Sequence, residues 1–259
     1  MRFWCWTQVW ARGIYGEVRI ALISDLHANE VALRAVLADI ARVGCDEIVC
    51  LGDVATLGPQ PNVVIEMLRE RGCRSILGNH DAFMLEPELV HTYTEVPVVV
   101  DAVEWCRERL SADEIAFLRT FHASLEIALD ATSSLVLFHG TLRSHMEDLL
   151  ATTPPETVDE MLMGRRGTVM AGGHTHIQMM RQHRGIMIVN PGSVGLPFKE
   201  NLSGRPPRLL GHGEYATVEA NGGVVSVQLR RVPLEKRAMA AAIAATDNPL
   251  RGYLLEQYA

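Results

Sequence analysis

Regular patterning of apolar positions begins at Val18, where Val18-Arg19-Ile20-Ala21-Leu22-Ile23 reads as a first buried strand. Ser24-Asp25-Leu26-His27 follows, and a helix is predicted from near Asn29, with Leu33, Val36, Leu37 and Ile40 forming one apolar stripe at i, i+3, i+4 and i+7. Gly44 ends it. A second strand, Glu47-Ile48-Val49-Cys50-Leu51, runs into Gly52-Asp53. Asn62 is the expected cap of a helix carrying Val64, Met67 and Leu68, closed by Gly72. Ser75-Ile76-Leu77 then ends a third strand and delivers Gly78-Asn79-His80-Asp81. Strands alternating with amphipathic helices imply parallel pairing with helices covering the sheet.

From Phe83 to about residue 124 the pattern is helical and more charged, an insertion or outer layer. Val99, Val103, Cys106 and Leu110 suit one helix, and Ser111 with Glu114 forms a capping box for the next. Leu125–Leu129 and Leu135–Phe138 read as a hairpin whose second strand ends in His139-Gly140. A helix is expected after Pro154-Pro155, then a strand Thr168–Ala171 ending in Gly172-Gly173-His174-Thr175-His176. Met187-Ile188-Val189 leads to Asn190-Pro191-Gly192-Ser193. Ala220-Asn221-Gly222-Gly223 joins a last strand pair, and an Ala-rich helical tail from Leu234 breaks near Pro249. Because the later strands are joined by hairpins, the second half is expected to be more antiparallel.

Composition narrows the class. At 259 residues and 48% hydrophobic, the chain has material for a substantial core. A net charge of -7 argues against wholesale attraction to nucleic-acid backbones or anionic membranes, so nucleic acid and membrane are not expected partners. Five cysteines without a Cys-x-x-Cys pair indicate reduced thiols and a cytoplasmic location. Residues 1–17, crowded with Trp4, Trp6 and Trp10, lack the apolar core and cleavage site of a signal peptide. They are expected to be a non-core extension before a single domain spanning residues 18–259.

Five predicted strands thus end in Asp25, His27, Asp53, Asn79, His80, His139, His174 and His176. Carboxyl ends of strands form the binding crevice of open α/β sheets. Asp25 and His27 are two apart, as are His174 and His176, so on an extended chain each pair faces one side. Packing supplies no reason for so many polar endings. Two pairs, single ligands and a shared carboxylate meet the needs of a two-metal site, in which ions about 3.5–4 Å apart clamp an in-line displacement. His91, His122, His145, His183 and His212 lack such a setting and read as surface or core histidines. Arg143, four residues past His139, is a candidate phosphate contact.

In order and type, Asp25-Leu26-His27, Gly52-Asp53, Gly78-Asn79-His80-Asp81, His139-Gly140 and Gly173-His174-Thr175-His176 resemble the five motifs of calcineurin-like metallophosphoesterases. The similarity is closest to the small bacterial YfcE-like branch, and includes Asn190-Pro191-Gly192-Ser193-Val194-Gly195; Leu142 stands where many relatives have Pro. The resemblance implies an α/β fold (mixed α+β), a four-layer α-β-β-α sandwich of two mixed sheets flanked by helices. It implies that Asp25, His27, Asp53 and His176 hold one divalent ion, and that Asp53, Asn79, His139 and His174 hold a second. His80 is then the general acid and Asp81 its orienting partner, while a metal-bridging hydroxide attacks phosphorus in line. The N and O ligands suit Fe, Zn or Ni as well as manganese, the ion expected first.

A phosphodiesterase, acting also on phosphomonoesters, is the activity so implied, with a small phosphorylated substrate and room for a homo-oligomer. The alternatives are hydrolysis of pyrophosphate links such as those of diadenosine polyphosphates, and a non-catalytic scaffold of the same fold. Walls for the pocket are expected from the helical insertion and from the loop containing Lys199, Arg205 and Arg208.

Overall fold

A computed structural model describes residues 17–200 and 205–258. The expected N-terminal extension therefore lies, but for Glu17, outside the described residues. Two mixed five-stranded sheets pack face to face between helices. The first contains β1 (Val18–Ile23), β2 (Glu47–Cys50), β3 (Arg74–Ser75), β9 (His212–Asn221) and β10 (Val224–Pro233), in the order β10-β9-β1-β2-β3. The second contains β4 (Leu125–Ala128), β5 (Ser134–Leu137), β6 (Val169–Ala171), β7 (Met179–His183) and β8 (Ile186–Asn190), in the order β4-β5-β6-β8-β7. Helices α1 (Glu30–Val43), α2 (Pro61–Glu70), α8 (Lys236–Ala244) and α9 (Arg251–Gln257) contribute to the outer layer of the first sheet. Between β3 and β4 lie the shorter helices α3 (Asn79–Leu85), α4 (Val90–Tyr93), α5 (Pro97–Arg107) and α6 (Ala112–Leu118). The second sheet is covered by α7 (Pro155–Met161).

The period of two within strands explains why the layers stack. Ile20 and Leu22 of β1 face the other sheet, together with Leu135 and Leu137 of β5 and Val169 and Ala171 of β6. Their neighbours Ala21 and Ile23 face the helices, while Val136 and Met170 face α7. Strands buried on both faces read as unbroken apolar runs, as these do.

Several local expectations hold. Asn29 caps α1 through the Ala32 N–H at 3.0 Å, and Gly44 ends it at φ 78°. Ser111 and Glu114 form the capping box of α6. The second half is the more antiparallel, with β4–β5, β7–β8 and β9–β10 paired as hairpins, although β5, β6 and β8 run parallel. Two differ. Asn62 lies inside α2, which starts at Pro61; its amide donates instead to the Arg109 carbonyl, tying α2 to the segment after α5. β7 has no counterpart in the sequence reading, since Met179-Met180-Arg181-Gln182-His183 mixes apolar and polar residues at a sheet edge. It joins β8 through Arg184 and Gly185, both at positive φ, the backbone of a tight hairpin turn.

One polar contact fastens α1 to the first sheet. The hydroxyl of buried Tyr215 on β9 donates to Asp39 Oδ2 at 2.7 Å, Arg230 Nε on β10 donates to the same oxygen at 3.0 Å, and Arg42 holds Oδ1. Burial pushes the Asp39 carboxyl up, but the Tyr215, Arg230 and Arg42 hydrogen bonds together bring it below its ordinary value of 3.8. A depressed carboxyl contributes stability that is present above its unfolded value and lost as pH falls through the folded one. Asp39→Asn should therefore lower stability by about 2 kcal/mol at neutral pH, with the gap to wild type closing below pH 3.8. Urea titrations at pH 7 and at pH 3 check this; an equal gap at both would contradict the ionic contribution.

Candidate metal centre

All eight strand-end residues converge where the carboxyl ends of the two sheets meet. β1, β2 and β3 deliver Asp25, His27, Asp53, Asn79 and His80; β5 and β6 deliver His139, His174 and His176. The spacing argument from an extended chain does not hold in detail. Asp25, His27, Asp53, His174 and His176 all lie beyond their strands at φ between 45° and 70°. Their side chains are aimed by left-handed turns, not by strand alternation. This region costs ordinary residues about 1–2 kcal/mol each, and residues held there cluster at functional sites.

Backbone ladders between the loops hold these turns in place. Asp25 N–H donates to Gly52 O at 2.9 Å and His27 N–H to Asp53 O at 3.0 Å. The stretch Asn190–Gly195 braces the opposite side: Asn190 donates to Gly173 O at 2.6 Å, Ser193 Oγ donates to Asp25 O at 2.7 Å, and Gly195 O accepts from Asn29 at 2.9 Å. Two glycines allow the close approach. A Cβ on Gly78 would stand 2.1 Å from Asp53 Oδ1, and one on Gly173 would stand 1.9 Å from Ser24 Oγ.

The donor atoms form two groups that share Asp53: Asp25, His27, Asp53 and His176, and Asp53, His139 and His174. Within each, one atom per residue lies within 4.8 Å of every other. Asn79 Oδ1 joins the second group, 3.1 Å from His139 Nε2 and 2.9 Å from His174 Nδ1. Asp53 divides its oxygens. Oδ1 accepts the His80 backbone N–H at 2.9 Å, while Oδ2 stands between the groups, 3.9 Å from His27 Nε2 and 3.4 Å from His139 Nε2.

The hydrogen bonds decide whether this donor set suits cations. His139 Nδ1 lies 2.7 Å from Leu51 O and His176 Nδ1 lies 2.7 Å from Leu196 O, so each Nδ1 carries a proton and, in the neutral form, each ring turns its Nε2 lone pair inward. Those lone pairs meet Asn79 Oδ1, Asp25 Oδ1 at 3.4 Å and His27 Nε2 at 3.0 Å. Acceptors facing acceptors repel unless positive charge lies between them. Protons supply some of it: burial lowers His139, but the charge of Asp53 and a hydrogen bond to it raise the imidazole to about 9. Asp53 itself, despite burial, is held well below its ordinary value by His139 and His80. Divalent cations fit the same N and O donors without needing extra protons.

The other expected site residues divide. His80 is buried beside the centre, its ring 5.0 Å from His27 and 5.1 Å from Phe83, and its Nδ1 has no hydrogen-bond partner among the described residues. Burial lowers it to about 4 even though Asp53 pulls the other way, so the ring is a neutral imidazole at pH 7. Asp81 does not orient His80. Its carboxylate accepts the backbone N–H groups of Asp53, Val54 and Gly78 at 2.8, 2.9 and 3.0 Å, clamping the β2 and β3 ends together. Gly78-Asn79-His80-Asp81 is accordingly the start of α3, with Gly78 as its cap. Arg143 is not a free phosphate contact, because Glu147 takes its guanidinium at 2.6 and 2.9 Å and Glu160 lies at 3.5 Å. Lys199, Arg205 and Arg208 are exposed.

Several neighbours of the centre escaped the sequence reading. Asp148 Oδ1 lies 3.3 Å from His174 Nε2 and leaves Nδ1 to face the site. His145 is no ordinary surface histidine: its Nε2 is buried without a partner among the described residues, and its imidazole is lowered by burial and by His139. Phe198 stacks on His176 at 4.2 Å, and Tyr93 stands 5.8 Å from His80. No local signal marks these residues, since their nearness is tertiary. Among the described residues no helix is long and apolar enough to cross a membrane, and Cys45, Cys50, Cys73 and Cys106 are free.

Comparison with known proteins identifies the family and the fold. The uncharacterized protein MJ0912 of Methanocaldococcus jannaschii is 30% identical over 193 residues, covering 69% of this chain and 76% of its own. A metallophosphoesterase from Sphaerobacter thermophilus shares the fold with a TM-score of 0.71 at 23% identity, over 94% of this chain and 98% of its own. The hypothetical protein PH1004 of Pyrococcus horikoshii does so with a TM-score of 0.76 at 16% identity, over 92% and 96%. The model of the calcineurin-like phosphoesterase superfamily domain matches residues 18–205, most of the chain and a span that contains the motif residues described above, and the chain belongs to that superfamily.

Proposed function

We propose that the protein hydrolyses phosphodiester bonds in small phosphorylated substrates with two divalent cations, manganese ahead of iron, zinc or nickel, and that phosphomonoesters are secondary substrates. The observation that carries this reading is the pair of ligand groups sharing Asp53, with one of its oxygens between them. Asp25, His27, Asp53 and His176 would hold one ion, and Asp53, Asn79, His139 and His174 the other. Bound there, such a pair supplies Lewis acidity, lowering the pKa of a water towards neutrality and drawing charge from phosphoryl oxygens.

The residues of the chain do the remaining work. The Asp81 clamp and the His80 backbone N–H hold Asp53 in one orientation, which keeps both groups in register. Asp148 orients His174, and the carbonyls of Leu51 and Leu196 fix the tautomers of His139 and His176. His80, expected as a general acid, is a hydrogen-bond donor of the site when its ring is neutral. A neutral ring places an N–H against the leaving oxygen without bringing another positive charge into a cationic centre, and that hydrogen bond strengthens as negative charge develops there. The expected pairing of His80 with a carboxylate is thus not needed.

His80→Ala should keep both ions while turnover falls by roughly 10²–10⁴-fold, and Asp53→Ala should lose bound metal. Metal counting and steady-state kinetics on the two variants separate the roles, and equal metal loss in both would contradict them. The substrate class is tested by assaying phosphomonoesters, phosphodiesters and dinucleoside polyphosphates with Mn, Fe, Zn and Ni in turn. Diester turnover that depends on the added metal is the expected result. Preference for dinucleoside polyphosphates would move the reading to pyrophosphate links, and a dimetal-loaded protein inert on all of them would be a binding module.

A further inference from the structure

Tyr93, the last residue of α4, reaches the centre from the helical segment between β3 and β4. Its ring lies 5.8 Å from His80, 5.7 Å from Phe83 and 6.2 Å from His174. It therefore spans both sides of the centre, since His80 follows β3 in one sheet and His174 follows β6 in the other. The residue is 38% exposed, so a molecule arriving at the centre meets it.

The ring and the hydroxyl have separate explanations. Packing against Phe83 and His80 accounts for an aromatic ring, and phenylalanine would serve equally well. The hydroxyl makes no hydrogen bond to any described residue, and the exposed side chain leaves it open to water or to an arriving ligand. Burial raises its pKa, and the next contributions come from Asp53, Asp148 and Asp25. The ring contacts of Tyr93 with His80 and His174 place the side chain at the edge of the centre. The group is thus a neutral O–H at working pH, close to the ligands and without an acceptor of its own.

We propose that the Tyr93 hydroxyl donates a hydrogen bond to a non-bridging phosphoryl oxygen of the substrate, making Tyr93 a substrate-contacting residue. The proposal rests on the phosphoester reading above and adds a donor that none of the five sequence motifs contains. A phosphoryl group drawn to the cations presents negatively charged oxygens on the side away from its ligands. A neutral donor there meets them without competing for the metals. The ester's oxygens supply the acceptor that the protein withholds.

Tyr93→Phe isolates the hydroxyl because it preserves the ring. Metal content by elemental analysis and Tm should match wild type. The affinity of the manganese-loaded protein for inorganic phosphate, read by calorimetry, should fall about tenfold, and kcat/KM on a phosphodiester should fall by roughly 10–100-fold. A loss below threefold in both quantities, with metal content unchanged, overturns the role of Tyr93 and leaves the phosphoester reading intact. If manganese-loaded wild type neither binds phosphate nor turns over any phosphoester, both fall together. Should Tyr93→Phe lose metal or stability, Tyr93→Trp provides the second test. That variant keeps an aromatic ring but not the hydroxyl, so recovery of metal without recovery of phosphate affinity supports a hydroxyl at this position, and recovery of both shows that the hydroxyl is not needed and overturns it.

Discussion

The burial of Asp25 and Asp53 side by side is the constraint on which the rest depends. Their donor oxygens lie within 4.8 Å of the same neighbours, and among the described residues neither has a lysine or arginine as a hydrogen-bond or ion-pair partner. At that separation two negative charges repel by roughly 3 kcal/mol even at an effective dielectric of about 20. Desolvation adds to the cost. Everything polar around them answers that cost with either a positive charge or a directed N–H. Four histidines face the carboxylates, backbone amides of His80 and His174 donate to them, and the same donor set is suited to cations.

Seen from that constraint, the two-sheet architecture has a chemical purpose. One sheet brings the acids and the other brings His139, His174 and His176, and neither alone completes a ligand group. The interlayer core of Ile20, Leu22, Val49, Leu51, Leu135, Leu137, Val169 and Ala171 sets how closely the two ends approach. Loops crossing at that edge are short and tied by main-chain hydrogen bonds, so the apolar interior and the polar centre are mechanically continuous. A cavity opened between the sheets would be felt as a change in ligand geometry.

Much of this was legible in the chain because the relevant signals are local. The stripe of α1, the Ser111–Glu114 box and the polar residues terminating apolar runs each need only a few neighbouring residues to be read. What stayed hidden was tertiary. Asp81 looked like a partner for His80 because it is adjacent in sequence, yet a carboxylate at the third position of a helix turns back to the amides at its own start and to those of the neighbouring strand end. Asp148, His145, Phe198 and Tyr93 carry no motif and become neighbours of the centre only once two loops and an inserted helix are folded over it. β7 was missed because an edge strand need not alternate cleanly. The two-residue spacing of Asp25 with His27 pointed to the right cluster by way of the wrong backbone.

That backbone has a consequence for descent. Asparagine and glycine occupy the left-handed region as readily as aspartate or more so, whereas β-branched residues do not. A lineage could therefore exchange the acids or histidines at Asp25, His27, Asp53, His174 and His176 for such residues while the loops kept their course. The same exchange would relieve the charge repulsion between Asp25 and Asp53. The course of these loops thus rests on their backbone conformation and main-chain hydrogen bonds, and the architecture could outlast the acids it carries.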